Sequence, residues 1–282
     1  MKTNNSCINR SPMPAGAIEP NSTAVNGMLE FAGCYWWTNY PFNISNSGYW
    51  FINQQWDPRG AYVDAEGLHL KMKQSQLPNG PSQWSSVSLV LWGYTANNPN
   101  TATHIPTRSY PGFGRYLIAA ETPNGTFDQL SNQCCFGAFT YQFEADNTIT
   151  NSHRELDMLE CSRWYNPKMS TNAQFTLQPW ENDTNNVHRI SIDSSKSQIT
   201  LLMDWQDENT DVTFNLYYGL YTFSNLPATP DITWTTAANQ NQFIPNEGCQ
   251  TVHLNLWRQP QGKYPASDQE VIIKNFEYAE FS

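Results

Sequence analysis

Charged residues are scarce in this chain of 282 residues, and basic residues are the scarcer of the two signs. Only 14% of the residues are charged, 15 of them basic and 25 acidic, which gives a formal net charge of −10. Lys and Arg form no cluster anywhere along the sequence. Because nucleic acids and anionic membrane surfaces are bound through basic patches, we expect neither to be a partner.

Long apolar runs are also missing. No stretch approaches the roughly 18–20 consecutive apolar residues that a membrane-spanning helix needs, so we expect no membrane insertion. Residues 1–30 lack the apolar core of a signal peptide. They carry three prolines among small polar residues, which predicts an extended N-terminal arm.

The six cysteines form no metal-binding pattern. They contain no C-x-x-C pair and no neighbouring His at the spacing of a zinc site, so we predict neither a metal nor a cofactor. One or two disulfides would suit an exported protein, but their pairing cannot be read from the sequence.

Helical patterning is absent as well, whereas strand patterning is abundant. From Cys34 onward, short β-branched and aromatic runs are separated by Gly, Pro and Asn. Examples are Gly67–Met72, Ser88–Trp92, Arg189–Ile192 and Thr213–Tyr217. Many short strands with turn signals between them predict an all-β sandwich, and no composition break divides it. We therefore predict a single domain over residues 31–282.

The most informative segment is His153–Glu160, in which three carboxylates alternate with apolar residues. Strands are normally depleted in Asp and Glu, so this pattern needs an explanation. Strict alternation places His153, Glu155 and Asp157 on one face of a strand, but Glu160 then falls one residue out of phase.

A β-bulge would return Glu160 to the face of the other carboxylates. It requires one extra residue, at Met158 or Leu159, and bulges often re-aim side chains beside active sites. With the bulge, the polar face reads His153, Glu155, Asp157, Glu160, Ser162 and Trp164. The opposite face reads Leu156, then Met158 or Leu159, then Cys161, and is expected to face a core.

Two interpretations of this acidic face compete. A solvated strand surface is the ordinary explanation for clustered carboxylates. Aromatic residues, however, make up 14% of the chain and include 11 Trp, and several flank the segment. Flat aromatic side chains suit sugar rings, although many Trp and Tyr residues simply pack in cores and sheets. The aromatic surroundings make a merely solvated surface less favoured and are consistent with a strand face that carries acid chemistry.

The spacing E-x-D-x-x-E resembles the catalytic strand of glycoside hydrolase family 16, which includes laminarinases, lichenases and agarases. Other segments resemble family motifs in the same order, over roughly residues 35–281. They are Phe113–Tyr116, Phe139–Tyr141, Asn172–Phe175, Leu202–Trp205, Phe243–Pro245, His253–Trp257 and Val271–Phe281. The resemblance implies a concanavalin-like jelly-roll β-sandwich of two antiparallel sheets, with a concave substrate cleft.

The resemblance also implies roles for the three carboxylates. Glu155 matches the nucleophile, Glu160 the acid/base and Asp157 the assisting residue between them. Retention of configuration requires the two reacting carboxyl groups to lie roughly 5–5.5 Å apart. Three close carboxylates cannot all ionise cheaply, so at least one pKa should be raised.

Candidate substrate-binding residues follow from the same resemblance and from strand parity. Asn255 and Trp257 match the sugar-contacting "N-x-W" motif, and Arg108 resembles an arginine upstream of the glycine-aromatic strand. His153 stands where lichenases carry a cleft Trp, and Trp164 shares the polar face.

Two positions depart from the family pattern. Arg154 stands where many members have Gly or an acid, on the core-side parity of the strand. Lys274 takes the place of an Asp that binds structural calcium in some members, which disfavours a metal there.

Taken together, the resemblance implies a retaining, endo-acting glycoside hydrolase that cleaves a β-linked polysaccharide, with a β-1,3- or mixed-linked β-glucan as the expected substrate. The alternatives are a transglycosylase of the same fold, an agarase-like galactanase, and a non-catalytic carbohydrate-binding protein. We expect a monomer that is secreted or extracytoplasmic, its signal peptide being absent from the given sequence.

Overall fold

The computed structural model describes residues 28–38, 60–72, 74–75, 83–84, 87–94, 110–143, 145–181, 184–258 and 265–281. Within these residues the chain is built almost entirely of antiparallel strands. The strands are β1 (Met28–Phe31), β2 (Cys34–Thr38), β3 (Ala61–Val63), β4 (Leu68–Met72), β5 (Gln74–Ser75), β6 (Gln83–Trp84), β7 (Val87–Tyr94), β8 (Gly114–Glu121), β9 (Cys134–Tyr141), β10 (Leu156–Cys161), β11 (Ala173–Leu177), β12 (Val187–Ile190), β13 (Gln198–Trp205), β14 (Thr213–Tyr218), β15 (Ile232–Thr235), β16 (Thr251–Arg258) and β17 (Gln269–Ala279).

The helical elements of the described residues are three short 3₁₀ turns, at Phe127–Gln129, Thr184–Asn186 and Ala238–Phe243. No helix in this part of the chain has the length and hydropathy needed to cross a membrane.

Two large sheets make up the sandwich. The first has eight strands in the order β1-β2-β7-β16-β9-β10-β11-β12, and the second has seven in the order β15-β14-β13-β8-β17-β4-β3. Strands that are distant in sequence lie side by side: β16 is hydrogen-bonded between β7 and β9, and β17 between β8 and β4. The predicted all-β jelly roll of two antiparallel sheets is confirmed.

The core lies between the two sheets and is formed by alternate residues of each strand. In β13, for example, Ile199, Leu201 and Met203 are fully buried in the main hydrophobic cluster. They meet residues from the eight-stranded sheet, among them Phe136 on β9 and Phe175 on β11. Because the period of a strand is two, the residues between these core positions are left to face outward. The outer face of the eight-stranded sheet is where the candidate site lies.

The first strand begins inside the segment that the sequence assigned to the N-terminal arm. Residues 28–30 pair with residues 35–37 of β2, so they belong to the sheet. A two-residue turn at Ala32 and Gly33 joins the strands, and both residues have positive φ, 53° and 69°. This is the backbone twist that favours two-residue hairpins. Ala rarely adopts it, so the turn could not be predicted from the residue types.

Among the cysteines that the structure describes, Cys249 is disulfide-bonded. Four other cysteines, Cys34, Cys134, Cys135 and Cys161, are buried free thiols. The sequence had left the number and pairing of the disulfides open.

Candidate active site

The β-bulge predicted in the acidic strand is present and sets the direction of its carboxylates. Asp157 pairs with Thr176 on β11 and Glu160 pairs with Gln174, so two residues of β10 stand opposite the single residue between those partners. On the other side, Asp157 and Leu159 pair with consecutive residues of β9, which leaves Met158 as the extra residue. Met158 and Leu159 are both buried in the core, so Asp157 and Glu160 face the opposite way together.

The strand does not extend as far back as the sequence predicted. It begins at Leu156, because Arg154 has a positive φ of 49° and interrupts the alternation. Strand parity was therefore the wrong basis for placing His153 and Arg154. Glu155 is held just ahead of the strand by Asn151, whose amide donates to the Glu155 carbonyl at 2.9 Å and accepts from the Glu155 N–H at 2.9 Å.

Arg154 is buried among polar partners rather than in the apolar core. Its Nη2 forms an ion pair with Asp146 Oδ2 at 2.7 Å, and its Nε donates to the Asn246 carbonyl at 2.9 Å. The hydrogen bonds of Thr148, and then the contact with Arg154, hold the pKa of Asp146 well below its usual range. A Cβ at Gly248 would lie 2.3 Å from Arg154 Nε, so Gly248 makes room for the guanidinium. Arg154 thus fixes the turn that introduces Glu155.

The three carboxylates form one connected group. Asp157 is only 2% exposed, whereas Glu155 and Glu160 are half-buried. Asp157 is hydrogen-bonded to Glu155, and its Oδ2 accepts a hydrogen bond of 2.9 Å from Gln178 Nε2. Two carboxyl groups can hydrogen-bond to each other only when one of them is protonated, so this contact requires a proton on Asp157 or on Glu155.

Burial raises the pKa of all three groups. The pKa of Glu155 rises to about 8, mainly through burial and also through the nearby charge of Glu160, while the hydrogen bond from Asp157 opposes the rise. The pKa of Asp157 is raised well above its usual range by burial and then by Glu155 and Glu160. The pKa of Glu160 is raised by burial against its hydrogen bonds from Gln174 and Thr176. An upward shift of this kind is in the direction that an acid catalyst needs if it is to keep its proton.

Glu160 has a dedicated set of donors on the neighbouring strand. Its Oε2 accepts hydrogen bonds from Gln174 Nε2 at 2.7 Å and from Thr176 Oγ1 at 2.9 Å. Arg189 on β12 donates to Gln174 Oε1 at 2.6 Å.

The sequence reasoning missed these supporting residues. Gln174, Thr176 and Gln178 recur at every second position of β11 and its extension, which is the signal that could have revealed a polar strand face. Arg189 is joined to them only by the pairing of β11 with β12.

The candidate binding residues lie on the same sheet face in two groups. The first group contains His153, which stacks on Tyr141 with ring centroids 4.8 Å apart and lies 2.9 Å from the Gln142 carbonyl through Nδ1. A carbonyl only accepts, so Nδ1 carries the hydrogen. His253 stacks on Phe139 at 5.1 Å and touches Tyr141 at 5.5 Å, which extends this aromatic surface across β9 and β16.

The second group contains Trp164, Trp257 and Asn255. The two indoles meet edge to face at 6.3 Å, and Trp164 Nε1 also donates to Gln174 Oε1 at 3.2 Å. Asn255 and Glu160 both stand opposite Gly137, one from each side. A Cβ at Gly137 would lie 2.5 Å from Asn255 Oδ1, so Gly137 leaves room for that amide beside Glu160. Arg108 lies outside the described residues.

The described residues include one group of metal-type ligands, and it lies away from the carboxylates. Asp64, Glu66 and His69 stand at the β3–β4 turn of the seven-stranded sheet. Both ring nitrogens of His69 are already engaged, with Asp64 and with Glu270, each at 2.9 Å. Lys274, which replaces the calcium-binding Asp, pairs with Glu121 at 3.1 Å.

The two-sheet architecture is that of jelly-roll glucanases. The chain is similar to an endo-1,3-β-glucanase from Streptomyces sioyaensis (TM-score 0.52, 15% identity, 95% of this chain and 98% of that one). It is also similar to the laminarinase from Rhodothermus marinus (TM-score 0.52, 14% identity, 94% of this chain and 98% of that one). A third similar structure is a pseudo β-1,3-glucanase of Mycobacterium tuberculosis (TM-score 0.50, 13% identity, 80% of each chain).

These likenesses confirm the fold that the sequence resemblance implied. No protein-family model matches the chain, and no curated protein matches it.

Proposed function

We propose that this protein is a retaining, endo-acting glycoside hydrolase that cleaves a β-linked polysaccharide. The observation that carries the proposal is the bulge of β10, which directs Asp157 and Glu160 to one face, together with the donors that meet them there from β11 and the residue that follows it. A solvated acidic surface would need neither the bulge nor a side-chain donor aimed at a carboxylate that is 2% exposed.

In the proposed mechanism, Glu155 reacts in its ionised form, which a pKa of about 8 makes the minor form at pH 7. The Glu155 carboxylate attacks the anomeric carbon, and Glu160 protonates the departing glycosidic oxygen. A covalent glycosyl-enzyme forms, and Glu160 then takes a proton from the water that hydrolyses it. Asp157, protonated and hydrogen-bonded to Glu155, stabilises the carboxylate of the nucleophile and weakens its repulsion with Glu160. The proton therefore stays on the group that is best buried.

We propose a neutral β-1,3- or mixed-linked β-glucan as the substrate. Aromatic rings on both sides of the carboxylates suit uncharged sugar rings, whose apolar C–H faces can pack on them. The laminarinase and the endo-1,3-β-glucanase that share the fold support the same choice. The disulfide of Cys249 is consistent with a secreted or extracytoplasmic protein, and we propose that it acts as a monomer.

The proposal is tested by incubating the purified protein with laminarin, lichenan, agarose and xyloglucan. Reducing ends and product lengths are measured, and ¹H NMR identifies the anomer that forms first. We expect mid-length products of β-configuration from laminarin or lichenan, and no release from Glu155→Gln. A first-formed α-anomer would contradict retention, and release from agarose alone would overturn the proposed substrate. Transfer products without hydrolysis would identify a transglycosylase.

A non-catalytic carbohydrate-binding protein is the second candidate, because one similar structure is a pseudo β-1,3-glucanase. Calorimetric binding of laminarin oligosaccharides without turnover on any of the four polysaccharides would favour it. Retention of both glutamates and of their donors favours the enzyme.

A further inference from the structure

The side chains behind Glu160 form a hydrogen-bond chain whose direction is fixed by their chemistry. Gln174 Oε1 accepts hydrogen bonds from Arg189 Nη1 at 2.6 Å and from Trp164 Nε1 at 3.2 Å. Arg and Trp can donate but not accept. The amide oxygen of Gln174 must therefore face them, and its NH₂ group must face Glu160.

The donor-to-acceptor direction of the hydrogen bonds is also fixed at Thr176. The NH₂ group of Gln174 lies 2.7 Å from Glu160 Oε2 and 3.1 Å from Thr176 Oγ1. Since Thr176 accepts from the amide, its single hydroxyl hydrogen is free for Glu160 Oε2, which lies 2.9 Å away. Glu160 Oε2 thus receives two donors, and the amide donor cannot be reversed without breaking the contacts of Arg189 and Trp164.

Arg189 is itself held in place. Its Nε donates to Thr171 Oγ1 at 3.0 Å, and its Nη2 donates to the carbonyls of Thr171 and Ser162 at 3.1 and 3.2 Å. The start of the chain is therefore anchored to backbone on two segments.

We propose that this chain confines the exchangeable proton of Glu160 to Oε1, which makes Arg189, Gln174 and Thr176 positioning residues for the acid step. The inference rests on the proposed role of Glu160 as acid/base. A proton on Oε2 would displace one of two donors and leave a buried N–H or O–H without an acceptor, which is unfavourable. The acid is thereby presented from one oxygen only, in one direction.

Other ionisable groups face Glu160 and also influence its pKa. Glu155 and Asp157 face it from its own segment, and Arg189 faces it from β12. Cys135 on β9 is buried, and its raised pKa keeps that thiol neutral. Because the two donors favour the ionised form of Glu160, removal of either one should make the group hold its proton to higher pH.

The experiment compares Thr176→Val, which keeps the shape but loses the hydroxyl, with Thr176→Ser, which keeps the hydroxyl. In pH profiles of kcat/KM, we expect Thr176→Val to move the basic limb upward by about one pH unit, the size of one lost hydrogen bond to a charged group. Thr176→Ser should leave the limb in place. If Thr176→Val does not fold, Gln174→Met, which removes the amide donor, replaces it. An unchanged limb in the donor-less variant, or an equal shift in both Thr176 variants, would overturn the proposal.

A second readout does not depend on turnover. In the Glu155→Gln background, the ¹³C-carboxyl resonance of Glu160, assigned by its loss in Glu160→Gln, is titrated by NMR. The midpoint should be higher with Thr176→Val than with Thr176→Ser, and equal midpoints would contradict the proton assignment. If the wild-type protein hydrolyses nothing, the proposed function fails, while this titration still decides whether the Thr176 hydroxyl acts on Glu160.

Discussion

At the scale of single residues, the state of each carboxylate is set by its neighbours. Asp157 is the most buried and is hydrogen-bonded to Glu155, whereas Glu160 has two donors on β11. All three residues carry a carboxyl group, but their surroundings differ. An enzyme needs such a difference, because it sets separate pKa values for the carboxyl that acts as acid and the one that acts as nucleophile. The sequence predicted the three acids, but not the side chains that distinguish them.

Because Glu155 is buried, its ionisation as the pH rises should lower the free energy of unfolding. Its folded-state pKa of about 8 lies above its usual 4.5, so between these values the folded protein binds more protons than the unfolded chain. Stability is then lost with increasing pH across that range. We expect Glu155→Gln to raise the free energy of unfolding by about 1–2 kcal/mol more at pH 8 than at pH 4.

Denaturant unfolding of wild type and variant at the two pH values measures this difference. Glu208→Gln, which changes an exposed acid, is the matched control and should show no such pH dependence. A gain that is the same at pH 4 and pH 8 would mean that Glu155 is not protonated by its site.

Trp257 tests the aromatic surface near Glu160. Its indole contacts Trp164 and is partly exposed on the site face, so its loss should weaken sugar binding rather than chemistry. We expect Trp257→Ala to raise KM several-fold, by about 1 kcal/mol of lost packing, with a smaller change in kcat. A large drop in Tm with an unchanged KM would instead assign Trp257 a structural role, for which truncation costs about 3–5 kcal/mol.

At the scale of the element, β10 shows which features of a strand can be predicted from its sequence pattern. The alternation of polar and apolar residues, with Glu160 displaced by one residue from that alternation, was enough to predict the bulge and its position. The start of the strand was predicted wrongly, because Arg154 adopts positive φ, which is uncommon for a non-Gly residue. The network of Gln174 and Arg189 could not be predicted, since it depends on which strands pair and in what register.

Deletion of Met158, the extra residue of the bulge, tests whether the bulge is needed for the site. The shortened strand reads E-x-D-x-E and alternates without a bulge, so its last Glu stays on the carboxylate face. We expect a folded, active variant with stability lowered by about 2–5 kcal/mol for the lost core side chain.

Met158→Ala is the matched control, because it removes the same side chain and keeps the register. Both variants should lose similar stability in thermal melts. A deletion variant that folds but lacks all activity, beside an active Met158→Ala, would show that the site needs the bulge itself.

At the scale of the whole molecule, the two sheets have different roles. The seven-stranded sheet closes the core with residues such as Leu201 and Met203, while the eight-stranded sheet presents polar and aromatic side chains on its outer face. This division follows from the period-two pattern of the strands, which is why fold class was predictable from sequence. The pairing of distant segments such as β7, β16 and β9 was not, and it is what assembles the aromatic surface beside the acids.

The central claim is that Glu155 forms a covalent glycosyl-enzyme, and trapping tests it most directly. The protein is incubated with a 2-deoxy-2-fluoro-β-laminaribiosyl fluoride, which forms the intermediate faster than water releases it, and is then digested for mass spectrometry. We expect one adduct per chain, located at Glu155, in wild type and in Thr176→Ser, and none in Glu155→Gln. An adduct on another residue, or none in a preparation that hydrolyses laminarin, would contradict it.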